Sequence, residues 1–298
     1  MKFKRCRSKP LAALYADHNV LGHISMQLTA HDNIKDDQII TVTTCSKPSH
    51  FLRHLRDRLV DVPLNGIRIH WPTSASGRAR TVITRSGIRR RYVIPCFRFE
   101  DREAHCEAVE EAAACIILDA CHGMEFQEQP VRFEFTWLGK THEHFPDVLV
   151  ACKNRYEFWE CKRKQETSDF MTRKRAEHLR ALLEPIGVGY RVISGKELFA
   201  DAFLENARLL RRFAKHPVSE SEKVEARLQV GQVGKCTLQQ LAAMLASAEP
   251  ISDVLAMIYN GDLCTDLRLK LTRSSLVNIP ENNRSLPWVW QILNVDNV

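Results

Sequence analysis

The chain has 298 residues, 44% of them hydrophobic and 27% charged, with a formal net charge of +7. That balance excludes a disordered or fibrous chain and leaves room for two or three globular domains. No apolar run approaches the roughly 18 residues of a membrane span, and the basic start Met1-Lys2-Phe3-Lys4-Arg5 lacks the apolar core and cleavage site of a secretory leader, so a soluble cytoplasmic protein with no membrane partner is expected.

In chain order, the first feature is a charge bias. From Arg53 to Arg98 there are eleven arginines against only Asp57 and Asp61, a composition suited to binding phosphates. Arg78, Arg80, Arg85, Arg89, Arg90 and Arg91 surround a turn at Ser86-Gly87, with Trp71 and Tyr92 nearby, and are expected to track the backbone of double-stranded DNA. Residues 1–95 therefore read as a basic, DNA-contacting region.

Arg102 to Cys121 reads as one helix, with Val109, Ala112, Ala113, Ile116, Ile117 and Ala120 on its apolar side, Glu103, Glu107, Glu110 and Glu111 in its first half, and Gly123 as its stop. Glu125 to Phe135 then reads as a strand. After a loop around Gly139, His142 and His144 lie on a polar strand face and are not assigned to a metal.

Two apolar runs follow, Phe145 to Ala151 and Tyr156 to Cys161, with Lys153-Asn154 as the turn of a hairpin. Centring the turn there pairs Leu149 with Phe158 and Val148 with Trp159, and sets Asp147 opposite Glu160. Facing Cβ atoms in an antiparallel pair lie roughly 4.5 to 5.5 Å apart. Both carboxylates can then reach one divalent ion, whose oxygen ligands lie at about 2.0 to 2.1 Å when it is Mg²⁺. Period two brings Lys162 beside Glu160. A type I′ turn wants positive φ at both central positions, so Lys153 is an unfavourable residue for it.

Two carboxylates this close would repel, and one would hold its proton unless a cation kept both ionised. Mg²⁺, with Mn²⁺ as a substitute, is the cofactor this implies. Such an ion can polarise a phosphate and acidify a water, while the Lys162 ammonium orients that water and offsets charge on the phosphoryl oxygens. The arrangement points to metal-dependent hydrolysis of a phosphodiester.

The ten cysteines contain no Cys-x2-Cys pair, and Cys106, Cys115, Cys121 and Cys161 fall inside expected elements, so they read as reduced, buried thiols. Residues 201–298 carry eleven basic and eleven acidic side chains, which puts the net positive charge in the first two hundred residues. Within that tail, Glu205 to Lys215 reads as a basic amphipathic helix. Thr237-Leu238-Gln239-Gln240 reads as a capping box that opens another, and a third follows Pro250 and stops at Asn260-Gly261. With Leu269 to Val277 as a wing this is a helix-turn-helix-like layout, whose neutral charge favours a protein partner over DNA. Pro287-Trp288-Val289-Trp290 is either a packing anchor or an interaction peptide.

Taken together, Ile116-Ile117-Leu118-Asp119, Glu128-Gln129-Pro130, Pro146-Asp147 with its Val-Leu-Val strand, Glu160-Cys161-Lys162 and Tyr190-Arg191-Val192-Ile193-Ser194-Gly195-Lys196-Glu197-Leu198 make residues 100–200 resemble the TnsA-type endonuclease subunit of heteromeric transposases, a PD-(D/E)xK nuclease. The resemblance implies an α/β fold: a restriction-endonuclease-like core of mixed sheet flanked by helices at 96–200, with a winged-helix-like C-terminal domain at 201–298. It also implies a further catalytic and metal-binding glutamate eight residues before Asp119, which is Glu111. Helical spacing alone leaves Glu107 and Glu110 equally open as solvated charges. The implied activity is hydrolysis at the 5′ ends of a mobile element during cut-and-paste transposition. The implied partners are the transposon ends, a DDE-type transposase of the TnsB kind, and an AAA+ regulator of the TnsC kind that docks on the C-terminal domain. The rival readings are a restriction or repair nuclease working without a transposase and a catalytically degenerate DNA-binding assembly factor.

Overall fold

The computed structural model describes residues 50–60, 64, 66–74, 76–82, 91–99 and 102–280, all within one compact unit, Thr43–Val298. The architecture is mixed α/β. Its centre is a four-stranded sheet of order β4-β7-β8-β9, formed by β4 (Glu125–Glu128), β7 (Val148–Cys152), β8 (Arg155–Lys162) and β9 (Val188–Ser194). The first two pairings are antiparallel and β8–β9 is parallel. The parallel link is made by a crossover through α3 (Lys164–Thr167) and α4 (Phe170–Leu183), as parallel strands require.

Both faces of this sheet are buried, which explains why β7 and β8 are near-continuous apolar runs. On one face Val148, Val150, Trp159 and Cys161 pack under α2 (Val109–Ala120), a helix buried almost all round. On the other, Leu149, Tyr156, Phe158 and Tyr190 meet α1 (His50–Leu59), α4 and a second sheet. That sheet has the order β1-β5-β6, with β1 (Ile67–His70), β5 (Arg132–Trp137) and β6 (Lys140–His144). The described part of residues 1–95 thus supplies α1 and β1 to the core itself.

The β7–β8 hairpin adopts the expected register, with Val148 opposite Trp159 and Leu149 opposite Phe158. Lys153 takes φ 54° at the turn, so the residue unsuited to a left-handed position accepts that cost. Two other expectations are corrected. The helix begins only at Val109, because Arg102–Cys106 is a strand, β3, paired antiparallel with β2 (Tyr92–Cys96). Its Ala104 and Cys106 point inward by period two while Glu103 and His105 are half-buried. The strand expected from Glu125 to Phe135 is two strands in different sheets, separated where Gln129 turns at φ 48° before Pro130, which lacks the N–H to continue a ladder.

After β9 come α5 (Gly195–Leu198) and α6 (Phe203–Arg211), then α7 (Glu220–Val233), α8 (Leu238–Met244) and α9 (Pro250–Asn260). Thr237 does close a capping box with Gln240, and Gly261 ends α9 at φ 82°. The expected wing is reduced to β11 (Leu276–Val277), paired with β10 (Cys236–Thr237). The described cysteines are free, and all but Cys264 are buried. No helix among the described residues is long and apolar enough to cross a membrane.

Candidate active site

At one end of the central sheet a cleft of about 940 Å³ opens among the N-terminus of α2, the start of β7 and the end of β8. Asp147 continues the Leu149 side of β7, while Glu160 and Lys162 continue the Phe158 side of β8, so alternation alone turns all three to one face. Asp147 is held by the ladder: its N–H donates to the Trp159 carbonyl at 2.9 Å, and its Oδ2 accepts the Cys161 N–H at 2.8 Å. Glu111 arrives from the first turn of α2. Ala108 offers this helix no side-chain cap, and the Glu111 carboxylate curls back to accept the Glu107 N–H at 3.0 Å. Glu111, Asp147, Glu160 and Lys162, three of them read from hairpin geometry and one from resemblance, therefore line the same cleft.

Two different environments coexist in it. Burial first, then the neighbouring Asp147 carboxylate, push Glu111 up to about 8, with Arg80 and the Glu107 N–H pulling the other way. Burial likewise pushes Asp147 up to about 6, against Lys162 and the Cys161 N–H. Glu111 holds its proton at neutral pH and Asp147 holds one below about 6, protons that a cation would displace.

Glu160, 1% exposed, is instead saturated with donors. Arg175 Nη2 lies 2.6 Å and Lys162 Nζ 3.1 Å from its Oε1, and the Tyr190 hydroxyl donates to its Oε2 at 2.7 Å. Burial opposes ionisation of Glu160, yet His144, Lys162, Arg175 and the Tyr190 hydroxyl together hold its carboxyl below the usual range. Burial also pushes His144 down to about 4, so at neutral pH the charges that steady Glu160 are Lys162 and Arg175. Tyr190 gives its one proton to Glu160, so His144 Nε2, 2.8 Å from the same hydroxyl, is the donor to it. Burial works against the Lys162 charge, but Glu160 and Asp147 keep its ammonium above the ordinary lysine range.

Asp147 and Glu160 do come to one cleft, but among the described residues no three His, Cys, Asp or Glu side chains converge closely enough to hold an ion. Glu111 and Asp147 both line the cleft, and the Asp147 charge acts on Glu111. Their oxygen donors suit Mg²⁺ or Mn²⁺, and neighbouring acids whose ionisation is disfavoured are what such an ion relieves.

The basic residues divide. Arg80 lines the cleft, donating to Gln129 Oε1 at 2.9 Å and Glu107 Oε2 at 3.2 Å. Arg78 faces inward, bound to the Glu128 carboxylate and the Glu103 carbonyl with 10% of its side chain exposed, so its guanidinium is spent on the fold. Arg91 is half-buried and donates to the Val82 carbonyl at 2.6 Å. Arg85, Arg89 and Arg90 lie outside the described residues, as do Met1–Arg5 and Pro287–Trp290.

Sequence reading missed Arg163 and Arg175, which also line the cleft. Helical phase held a signal for Arg175: it stands four residues before buried Leu179, at the edge of the face that α4 turns to the sheet. The chain matches no known family model, and no curated protein sequence matches it.

Proposed function

We propose that this chain is a Mg²⁺-dependent DNA endonuclease with a restriction-endonuclease-like core, acting as the strand-nicking subunit of a heteromeric transposase similar to the TnsA type. One observation carries the reading: Glu111, Asp147, Glu160 and Lys162, drawn from a helix, the residue before one strand and the end of the next, share a single cleft that is also lined by Arg80, Arg163 and Arg175. The four-stranded mixed sheet between α2 and α4 is the architecture such a core calls for.

Glu111 and Asp147 would hold the ion. Once bound, Mg²⁺ supplies Lewis-acid polarisation of the scissile phosphate and a more acidic water. Lys162, kept charged by Glu160 and Asp147, orients the attacking water and offsets charge on the phosphoryl oxygens as a P–O bond is broken. Arg80 and Arg163, which line the cleft, suit phosphates on either side of the cut. The helical region α7–α9 with its short β10–β11 pair, within the charge-balanced residues 201–298, is, in this reading, a winged-helix-like platform for an AAA+ regulator. A DDE-type transposase cuts the opposite strand.

The test is cleavage of DNA carrying the element's ends, with Mg²⁺, with and without the co-purified transposase. Asp147→Ala or Lys162→Ala is expected to lower the rate by at least about 10²-fold, with folding and DNA affinity nearly unchanged. Near-normal Mg²⁺-dependent nicking by either variant overturns the assignment. Efficient cutting by the wild-type chain alone would favour a restriction or repair nuclease.

A further inference from the structure

Glu160 carries three donors, two of them cations. A carboxylate has about four lone-pair sites, and here both oxygens are taken, Oε1 by Arg175 and Lys162 and Oε2 by Tyr190. Lys162 lies on the same strand two residues on, and Tyr190 is fully buried with its hydroxyl fixed between His144 and Glu160. Arg175 differs from both. It comes from α4, whose Ala176, Leu179 and Leu183 anchor the helix, while 29% of the Arg175 side chain remains exposed along the cleft wall. Lys162 is exposed to the same 29%, but its ammonium also serves Asp147, whereas Arg175 reaches Glu160 from a separate element and is the donor that can leave without uncovering a second acid.

An arginine released there stays in the cleft, where its planar fork matches two oxygens of a phosphate. We propose that Arg175 is a further functional residue of this site, a placeholder cation on Glu160 that gives way to the divalent ion and then clamps the phosphate being cut. The inference rests on the nuclease reading above.

The experiment titrates Mn²⁺ alone into the full chain by calorimetry, without DNA, for wild type, Arg175→Met, Arg175→Lys, Arg80→Met and Asp147→Asn. If the Arg-free state is about a tenth populated, Arg175→Met binds Mn²⁺ about tenfold tighter than wild type. Arg175→Lys stays near wild type, and Arg80→Met, which removes an equal charge from the same cleft without freeing Glu160, tightens Mn²⁺ binding less than Arg175→Met does. In cleavage, Arg175→Met loses about 10²-fold in kcat with little change in KM for DNA. Should Arg175→Met fail to fold, Arg175→Gln takes its place. Unchanged or weaker Mn²⁺ binding by the neutral variant overturns the proposal, and so does equal tightening in Arg80→Met. If Asp147→Asn binds Mn²⁺ as wild type does, the nuclease reading itself falls. If Asp147→Asn loses Mn²⁺ and Arg175→Met is unaltered, only the role of Arg175 falls.

Discussion

At the scale of single residues the cleft sets a deficit of positive charge at Glu111 and Asp147 beside a surplus at Glu160. Glu111 faces Asp147, Glu107 and Arg80, and its folded value of about 8 stands well above its ordinary 4.5. Between those limits the folded state binds a proton that the unfolded chain has released, so stability of the metal-free protein falls as pH rises through that window. Asp147 adds to the fall up to about 6, leaving Glu111 as the main contributor above it. Glu111→Gln keeps the shape and removes the titration. In chelator, wild-type Tm is expected to decline from pH 6 to 8 while that of Glu111→Gln stays nearly level, and Mg²⁺ should stabilise wild type more at pH 8 than at pH 6. A wild-type melting point independent of pH over this range would remove the proton-holding pair. Asp147, Glu160 and Lys162 were legible because strand alternation is a strict two-residue period and the turn set the register. Arg175 was not, because its partner depends on how α4 seats against β9, and charge composition says nothing of that.

At the scale of elements, the segments misread were those whose partners lie far along the chain. Arg102-Glu103-Ala104-His105-Cys106 is rich in residues that favour helix, yet pairing with β2 makes it a strand. Its Arg102, together with Arg78 from a loop, closes on the Glu128 carboxylate of β4. Arg78 thus belongs to a buried triad, which a count of arginines cannot reveal. Removing the shared acid strands two guanidiniums, of which Arg102 is 5% exposed. Glu128→Ala should therefore cost about 3 to 5 kcal/mol, the penalty for breaking a buried ion pair from one side. Denaturant unfolding measures it, and a loss under about 1 kcal/mol would mean the triad behaves as a surface pair. The capped helices, by contrast, were legible from local chemistry: Thr237 with Gln240 and Asn260 before Gly261 state their own ends.

At the scale of the whole molecule the sequence suggests a nuclease core followed by a separable helical domain, whereas the described residues are tied across that boundary. Asp119, wholly buried at the end of α2, receives the Arg211 guanidinium of α6 at 2.7 Å. Arg98 donates to the Asp119 and Tyr259 carbonyls and lies over the Tyr259 ring at 4.2 Å. Asn206 of α6 donates to the carbonyls of Leu267 and Leu269 and accepts the Leu271 N–H. α6 is also shared between cores, with Phe203 and Ala207 packed under α2 and Leu210 among α7, α8 and α9. A chain cut before Lys235 loses the Tyr259 contacts of Arg98 and the partners of Asn206, and bares Ala226 and Val230 of α7. Unsatisfied buried polar groups cost about 1 to 3 kcal/mol each. At roughly 2 to 4 °C per kcal/mol for a chain of this size, the nuclease core of that truncation should melt on the order of 10 °C below the full chain. Calorimetry of the full chain should show one cooperative transition. Two well-separated peaks, with the lower one abolished by the truncation and the upper unmoved, would mean that the carboxy-terminal helices fold apart from the core.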